Sequence, residues 1–160
     1  MIVLALDSGI ERTGYALIKY HNSEVSYQTS GLIKTSSKEL HQNRLKEIYE
    51  TIEKLIQKHK PDAIAMERLF FFKNKKTVIA VSQAQGVVQL LSAQQNIPIH
   101  LLAPLQIKQT ITGNGVADKK SVKKMLELTC KIPHLSKMID DEVDAIACGL
   151  AYCYLNKKLL

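Results

Sequence analysis

The sequence predicts one α/β domain built on a mixed five-stranded sheet that is flanked by helices. Three strand-like runs come first in the chain, and two further apolar runs each follow a segment with helical spacing. Consecutive strands joined by short turns pair antiparallel, whereas parallel neighbours need helical crossovers. The 160 residues fit a single domain, residues 1–160, and no repeat or linker divides them.

The first three strands form a predicted antiparallel meander. Residues 2–6 are wholly apolar and precede Asp7-Ser8-Gly9, which is typical of a strand buried on both faces and followed by a turn. Residues 15–20 and 25–33 predict the next two strands, and the polar residues 21–24 predict the turn between them.

The rest of the chain alternates between helices and strands. Apolar residues recur every three or four positions in the helical segments, whereas the strand segments are short and continuously apolar. The predicted elements are a helix over 40–58, a strand over 62–66, a helix over 77–95, a strand over 97–102, helices over 104–112 and 121–130, and a last helix that contains 143–154. This order agrees with a ribonuclease H-like fold.

The composition favours a polyanionic partner in a reducing compartment. Lys and Arg number 22 against 15 Asp and Glu, which gives a net charge of +7. The three cysteines form no CxxC pair, and the five histidines show no ligand spacing, so we expect buried thiols and no zinc site. Without an apolar run of about 20 residues or a signal peptide, the expected location is the cytoplasm, away from membranes.

Acidic residues at the edges of predicted elements point to a site for divalent cations. Asp7 and Glu67 each end an apolar strand, and Asp144 lies three residues after Asp141 and four after Asp140, so either could share its helix face. Two cations roughly 4 Å apart need hard oxygen ligands from several elements when they cleave a phosphodiester. The alternatives are a turn role for Asp7 and first-turn acids that stabilise the helix dipole.

Aromatic and basic residues predict a nucleic-acid surface. Phe70-Phe71-Phe72 combines stacking surfaces with the cations of Lys73-Asn74-Lys75-Lys76, although two of the phenylalanines could instead fill the core. Lys108 and Lys119 flank Gly113-Asn114-Gly115, a loop that could approach a phosphate closely. The candidate DNA contacts are Phe70, Phe71, Phe72, Lys73, Lys75, Lys76, Lys120, Lys123 and Lys124.

Four segments resemble the RuvC family of Holliday junction resolvases, in the same order. They are Leu4-Ala5-Leu6-Asp7-Ser8-Gly9 with Thr13-Gly14-Tyr15-Ala16, the run from Ala65 to Asn74, the stretch from Gln106 to Lys119, and Asp141-Glu142-Val143-Asp144-Ala145-Ile146-Ala147. By this resemblance, the family's metal-binding carboxylates are matched by Asp7, Glu67, Asp141 and Asp144, which favours Asp141 over Asp140. Ser8 stands where the family usually has proline, a change that removes no ligand.

The resemblance implies a metal-dependent endonuclease that nicks opposed strands of a four-way DNA junction. It implies two Mg²⁺ ions per site, for which Mn²⁺ could substitute, and products with 5′-phosphate and 3′-hydroxyl ends. Lys108 and Lys119 would lie beside the scissile phosphate, and Phe70 would lie near the junction centre, with Phe71 and Phe72 as alternatives. It also implies a homodimer, for which we expect the helix over 77–95 to form the interface, and the RuvA and RuvB branch-migration proteins as partners.

Two other classes of function fit parts of the sequence. A non-catalytic junction-binding module would use the basic and aromatic residues alone. An actin-like ATPase is suggested by Asp7-Ser8-Gly9 with Thr13-Gly14, which resembles the first phosphate loop of that superfamily. The chain has no second Asp-x-Gly-Gly loop, and its length does not supply two nucleotide-binding lobes.

Overall fold

A computed structural model describes residues 1–69 and 75–156, with only the backbone of residues 75–77. Its strands are β1 (Ile2–Asp7), β2 (Arg12–His21), β3 (Glu24–Lys34), β4 (Ala63–Glu67) and β5 (Ile99–Leu102). Its helices are α1 (His41–His59), α2 (Lys75–Gln94), α3 (Pro104–Thr112), α4 (Lys119–Thr129) and α5 (Asp140–Leu155). A 3₁₀ turn at Leu135–Lys137 precedes α5.

The five strands form one mixed sheet in the order β3-β2-β1-β4-β5. The first three strands pair antiparallel, whereas β4 pairs parallel with both β1 and β5. The predicted α/β class and mixed five-stranded sheet are therefore confirmed. Because β1 and β4 are parallel neighbours, their carboxyl ends meet at the same edge of the sheet.

Several element boundaries differ from the prediction. Strand β2 begins at Arg12 instead of residue 15, since Gly14 already pairs with Asp7 across the antiparallel ladder. Strand β5 begins only at Ile99, and Pro98, which has no N–H to donate, precedes it. Helix α4 begins at Lys119 because the Asp118 side chain accepts a hydrogen bond from the Ser121 backbone N–H at 2.8 Å and caps it.

Helices cover both faces of the sheet. One face packs against α3, α4 and α5, and the other packs against α1 and α2. Alternate residues of β1 enter the two cores, so this strand is buried on both sides, as its apolar sequence predicts. Helix α5 approaches closely, because a Cβ on Gly149 would lie 2.8 Å from that of Ala5.

The described residues contain no helix that is long and apolar enough to cross a membrane. Of the three thiols, Cys148 and Cys153 are buried as expected, whereas Cys130 is partly exposed. Two of the three thiols therefore pack in the core on α5.

Candidate active site

A cavity of about 440 Å³ opens at the carboxyl ends of β1 and β4. Asp7 reaches it from β1 and Glu67 from β4, because the parallel register pairs Leu6 with Met66 and so brings the following residues to one edge. Asp144 reaches it from α5. Three of the four predicted carboxylates, from three separate elements, therefore line one cavity.

The amino-terminal end of α5 is pressed against β2 beside Asp7. A Cβ on Gly14 would lie only 1.9 Å from the backbone carbonyl oxygen of Asp141, so these two backbones pack without any side chain between them. The side chain of Asp141 pairs with Arg12, with 3.1 Å between Oδ2 and Nε. Asp141 is not among the residues that line the cavity.

Asp140 and Asp144 share a lysine. Lys119 Nζ lies 2.8 Å from Asp144 Oδ2 and 3.4 Å from Asp140 Oδ2. The side chain of Asp140 is 72% exposed, against 27% for Asp144, so Asp140 faces solvent at the rim. Asp140 is also the first residue of α5, and the N-cap is Ile139.

The two predicted lysines are carried by α3 and α4. Both Lys108 and Lys119 line the cavity. The loop between their helices is folded on itself, because the Gln109 side chain accepts from the Gly115 N–H at 2.9 Å and donates to the Gly113 carbonyl at 2.8 Å. The ammonium groups of these two lysines therefore lie at the acidic cavity, on the helices that this loop connects.

The carboxylates of the cavity raise one another's pKa. Burial, and then the charges of Asp144, Glu67 and Asp141, raise the pKa of Asp7 from 3.8 to about 7, against the opposing effect of Lys119. Burial and Asp144 likewise raise the pKa of Glu67. For Lys119, burial lowers the pKa, but the hydrogen bond and charge of Asp144 outweigh it and the pKa rises.

This donor set fits a hard divalent cation. Carboxylate oxygens are the ligands that Mg²⁺ prefers, and a cation would offset the burial and the mutual repulsion that raise the pKa of Asp7 and Glu67. Within residues 1–69 and 75–156, however, no three acidic, histidine or cysteine side chains are already gathered closely enough to hold an ion. The carboxylates of Asp141 and Asp144 instead pair with Arg12 and Lys119.

We expect the free energy of unfolding of the metal-free protein to fall as pH rises from about 4 to about 7. Folded Asp7 keeps its proton up to about pH 7, whereas the unfolded chain releases it near 3.8. The folded state binds more protons in this window, so raising the pH favours unfolding. Asp7→Asn should therefore stabilise the metal-free protein at pH 8 by roughly a few kcal/mol, at about 1.4 kcal/mol per pKa unit.

Urea denaturation in EDTA at pH 5 and pH 8 measures this effect. The difference between the wild type and Asp7→Asn should be larger at pH 8. Glu39→Gln, which removes an exposed carboxylate before α1, is the control and should leave the pH profile unchanged. The same pH dependence in Asp7→Asn as in the wild type would show that Asp7 is not the group responsible.

The predicted aromatic segment lies outside the described residues. This applies to Phe70, Phe71, Phe72 and Lys73, and the side chains of Lys75 and Lys76 at the start of α2 are also outside the description. On α4, Lys120 and Lys124 are exposed, whereas Lys123 donates a hydrogen bond to the Ser136 carbonyl at 3.2 Å. The described part of the basic surface therefore continues from Lys119 along α4.

Two residues at the site were not predicted from the sequence to have a role. Arg12 pairs with Asp141, and Gln85 of α2 lines the cavity and donates a hydrogen bond to the Glu67 backbone carbonyl at 2.9 Å. Both contacts join residues that are far apart in the chain. No local spacing encodes them.

Comparison with protein families matches residues 3–153 to the family described as crossover junction endodeoxyribonuclease RuvC. Proteins of that description from Alkaliphilus metalliredigens and Finegoldia magna are each 40% identical to this chain. The first match covers 96% of this chain and 93% of the relative, and the second covers 98% and 95%. Both similarities therefore extend over nearly the full length of each protein.

Solved structures show the same fold. The Thermus thermophilus structure described as RuvC in complex with Holliday junction substrate has a TM-score of 0.91 at 23% identity, and the match covers 99% of this chain and 96% of that one. The yeast mitochondrial Holliday junction resolvase Ydc2 has a TM-score of 0.71 at 16% identity, with 98% and 81% covered. At these identities the likeness concerns the fold, and it confirms the ribonuclease H-like architecture.

Proposed function

Because the chain belongs to the RuvC family of crossover junction endodeoxyribonucleases, which resolve Holliday junctions, we propose that the acidic cavity is its metal-dependent nuclease site. The observation that carries this proposal is the convergence of Asp7, Glu67 and Asp144 from three elements, with Lys108 and Lys119 on the same wall. Hydrolysis of a phosphodiester needs oxygen ligands for cations and positive charge beside the phosphate. The cavity supplies both.

The proposed metal ligands are Asp7, Glu67, Asp141 and Asp144. Asp141 joins the set because it matches a metal-binding carboxylate of the family and because its charge helps to raise the pKa of Asp7, although its carboxylate pairs with Arg12. We propose two Mg²⁺ ions per site, with Mn²⁺ as a functional substitute. When bound, the cations would lower the pKa of a water molecule and stabilise negative charge on the phosphate.

Lys108 and Lys119 have a proposed role at the phosphate. Lys119 is held at the cavity by Asp144, with its Nζ 2.8 Å from the carboxylate, and Lys108 lines the same wall. An ammonium group fixed where charge develops stabilises the transition state without costly reorganisation. We assign both lysines to stabilisation of the scissile phosphate.

Cleavage of a labelled synthetic four-way junction, beside a matched linear duplex, tests the proposed function. We expect paired nicks in opposed strands with Mg²⁺, with 5′-phosphate and 3′-hydroxyl ends, and no cleavage with EDTA or of the duplex. Tight junction binding without nicks in any divalent metal would contradict the proposal. That result would instead support a non-catalytic junction-binding module.

Helix α2 carries the proposed dimer interface. Residues 77–94 contain no charged side chain, in a chain in which 23% of residues are charged. Ile79 is 68% exposed and Leu90 is 57% exposed, and they lie on one face with Gly86, above which a Cβ would meet nothing within 4 Å. A two-fold dimer through this face would supply the two sites that paired nicking requires.

Leu90→Glu is expected to convert the dimer to a folded monomer. In the interface this carboxylate would be buried without an opposite charge, because residues 77–94 carry none, and an unpaired buried charge costs several kcal/mol, which corresponds to weakening by roughly 100-fold or more. Sedimentation measures whether the protein is a dimer or a monomer. The fraction of junctions nicked in both opposed strands measures the effect on paired cleavage. The control is Leu40→Glu, at a residue before α1 that is 63% exposed, and this variant should stay dimeric. If Leu90→Glu also stays dimeric, the proposed interface is wrong.

The remaining proposals concern DNA and protein partners. The proposed DNA contacts are Phe70, Phe71, Phe72, Lys73, Lys75, Lys76, Lys120, Lys123 and Lys124. Aromatic rings would stack on unpaired bases at the junction, and lysines would contact phosphates without reading sequence. Membership of the family also leads us to propose RuvA and RuvB as partners and the cytoplasm as the location.

A further inference from the structure

Gln85 of α2 is a buried polar residue at the wall of the acidic cavity. Its side chain is 7% exposed, and the only other buried polar residues within 1–69 and 78–156 are Thr13 and Ser92. Its Nε2 donates a hydrogen bond to the backbone carbonyl of Glu67 at 2.9 Å. A proposed metal ligand is therefore in contact with a residue of another element.

The contact holds Glu67 at the point where its strand leaves the sheet. Glu67 is the last residue of β4, and the next backbone N–H, that of Arg68, donates to the Leu102 carbonyl at 2.8 Å. The Gln85 bond joins residues 18 apart and so ties Glu67 to α2 directly.

Its place at the cavity distinguishes Gln85 from other buried donors. Ser92, seven residues further along α2, donates to the Ile97 carbonyl at 2.5 Å and is not among the residues that line the cavity. Such a bond satisfies a buried carbonyl and fixes a turn. The Gln85 bond does this for the backbone of a proposed metal ligand, and residues that orient a ligand from behind strongly affect metal affinity.

We propose that Gln85 is a positioning residue that holds Glu67 toward the other carboxylates, so that helix α2 supports the metal site. This inference rests on the proposed function and deepens it. The same helix presents the uncharged face of Ile79 and Leu90 on its exposed side. One rigid element would thus carry both the dimer interface and the support of a metal ligand.

Gln85→Met tests the inference, because methionine keeps the length of the side chain but removes the N–H donor. The Mg²⁺ concentration for half-maximal junction cleavage should rise about tenfold or more, as expected when a supporting partner of a ligand is lost. Junction binding in EDTA should stay unchanged. Independently of activity, hydrogen exchange of the Arg68 amide in the metal-free protein should become faster.

A control variant makes the test specific. Gln95→Met, at an exposed position just after α2, should match the wild type in both measurements. This comparison separates the hydrogen bond from a general change in helix α2.

The outcomes distinguish this inference from the proposed function. A wild type that cleaves junctions, together with a Gln85→Met variant that has the same Mg²⁺ requirement and the same exchange at Arg68, would overturn the positioning role alone. Faster exchange throughout the protein with an unchanged Mg²⁺ requirement would also overturn it, since that pattern reports only lost stability. If the wild type cleaves no junction, the proposed function fails, and exchange at Arg68 still decides whether Gln85 holds the end of β4.

Discussion

Asp7→Asn is expected to abolish junction cleavage and to leave junction binding intact. Asparagine has nearly the same shape but lacks the charge that a hard cation needs. Burial, and then the charges of Asp144, Glu67 and Asp141, raise the pKa of Asp7 to about 7, so Asp7 belongs to the acidic group. Metal-assisted stabilisation of the transition state is worth several kcal/mol, so the rate should fall by roughly 10²-fold to 10³-fold or more.

Single-turnover cleavage with enzyme in excess measures the rate, and gel mobility in EDTA measures binding. Binding should be equal or slightly tighter, because one negative charge is removed from the vicinity of the DNA phosphates. Glu39→Gln removes an exposed carboxylate elsewhere and should cleave normally. Nicking by Asp7→Asn at the wild-type rate would refute the proposed metal mechanism.

The fold was predictable because its signals are local. An apolar strand such as β1 is buried on both faces, and helical spacing between the later strands requires parallel crossovers. The start of β2 was missed, since its first residues, Arg12 to Gly14, carry no apolar alternation. Their extended conformation comes from pairing with β1 and β3, which is a property of the assembled sheet.

The sequence predicts the residues of the candidate site that lie at strand ends. Asp7 and Glu67 each follow an apolar strand, and parallel pairing brings such residues to one edge. The ion pair of Lys119 with Asp144 joins residues 25 apart, and no periodicity encodes it. The same holds for the bonds of Arg12 and Gln85. The assignment of all four carboxylates as metal ligands stays a prediction, and the carboxylate of Asp141 pairs with Arg12.

Gly14→Ala is expected to reduce both stability and cleavage. The added Cβ would lie 1.9 Å from the Asp141 carbonyl oxygen and 3.0 Å from the Glu142 backbone nitrogen. These are backbone atoms, so no side-chain rotation relieves the overlap, and α5 or β2 must move. Such overpacking typically destabilises by about 1–3 kcal/mol. Displacement of Asp141 and Asp144 by about 1 Å should reduce cleavage by roughly 10²-fold.

Gly149→Ala separates the loss of activity from the loss of stability. Its Cβ would lie 2.7 Å from Ile18 Cγ1, so it disturbs the same packing of α5 on the sheet, about two turns away from Asp141. Urea denaturation should show that both variants are destabilised. At a temperature where both are fully folded, only Gly14→Ala should cleave slowly at saturating Mg²⁺. We expect different rates, because a helix displaced at its acidic end cannot present Asp141 and Asp144 as before. Equal rates in the two variants would mean that the contact between Gly14 and α5 serves folding alone.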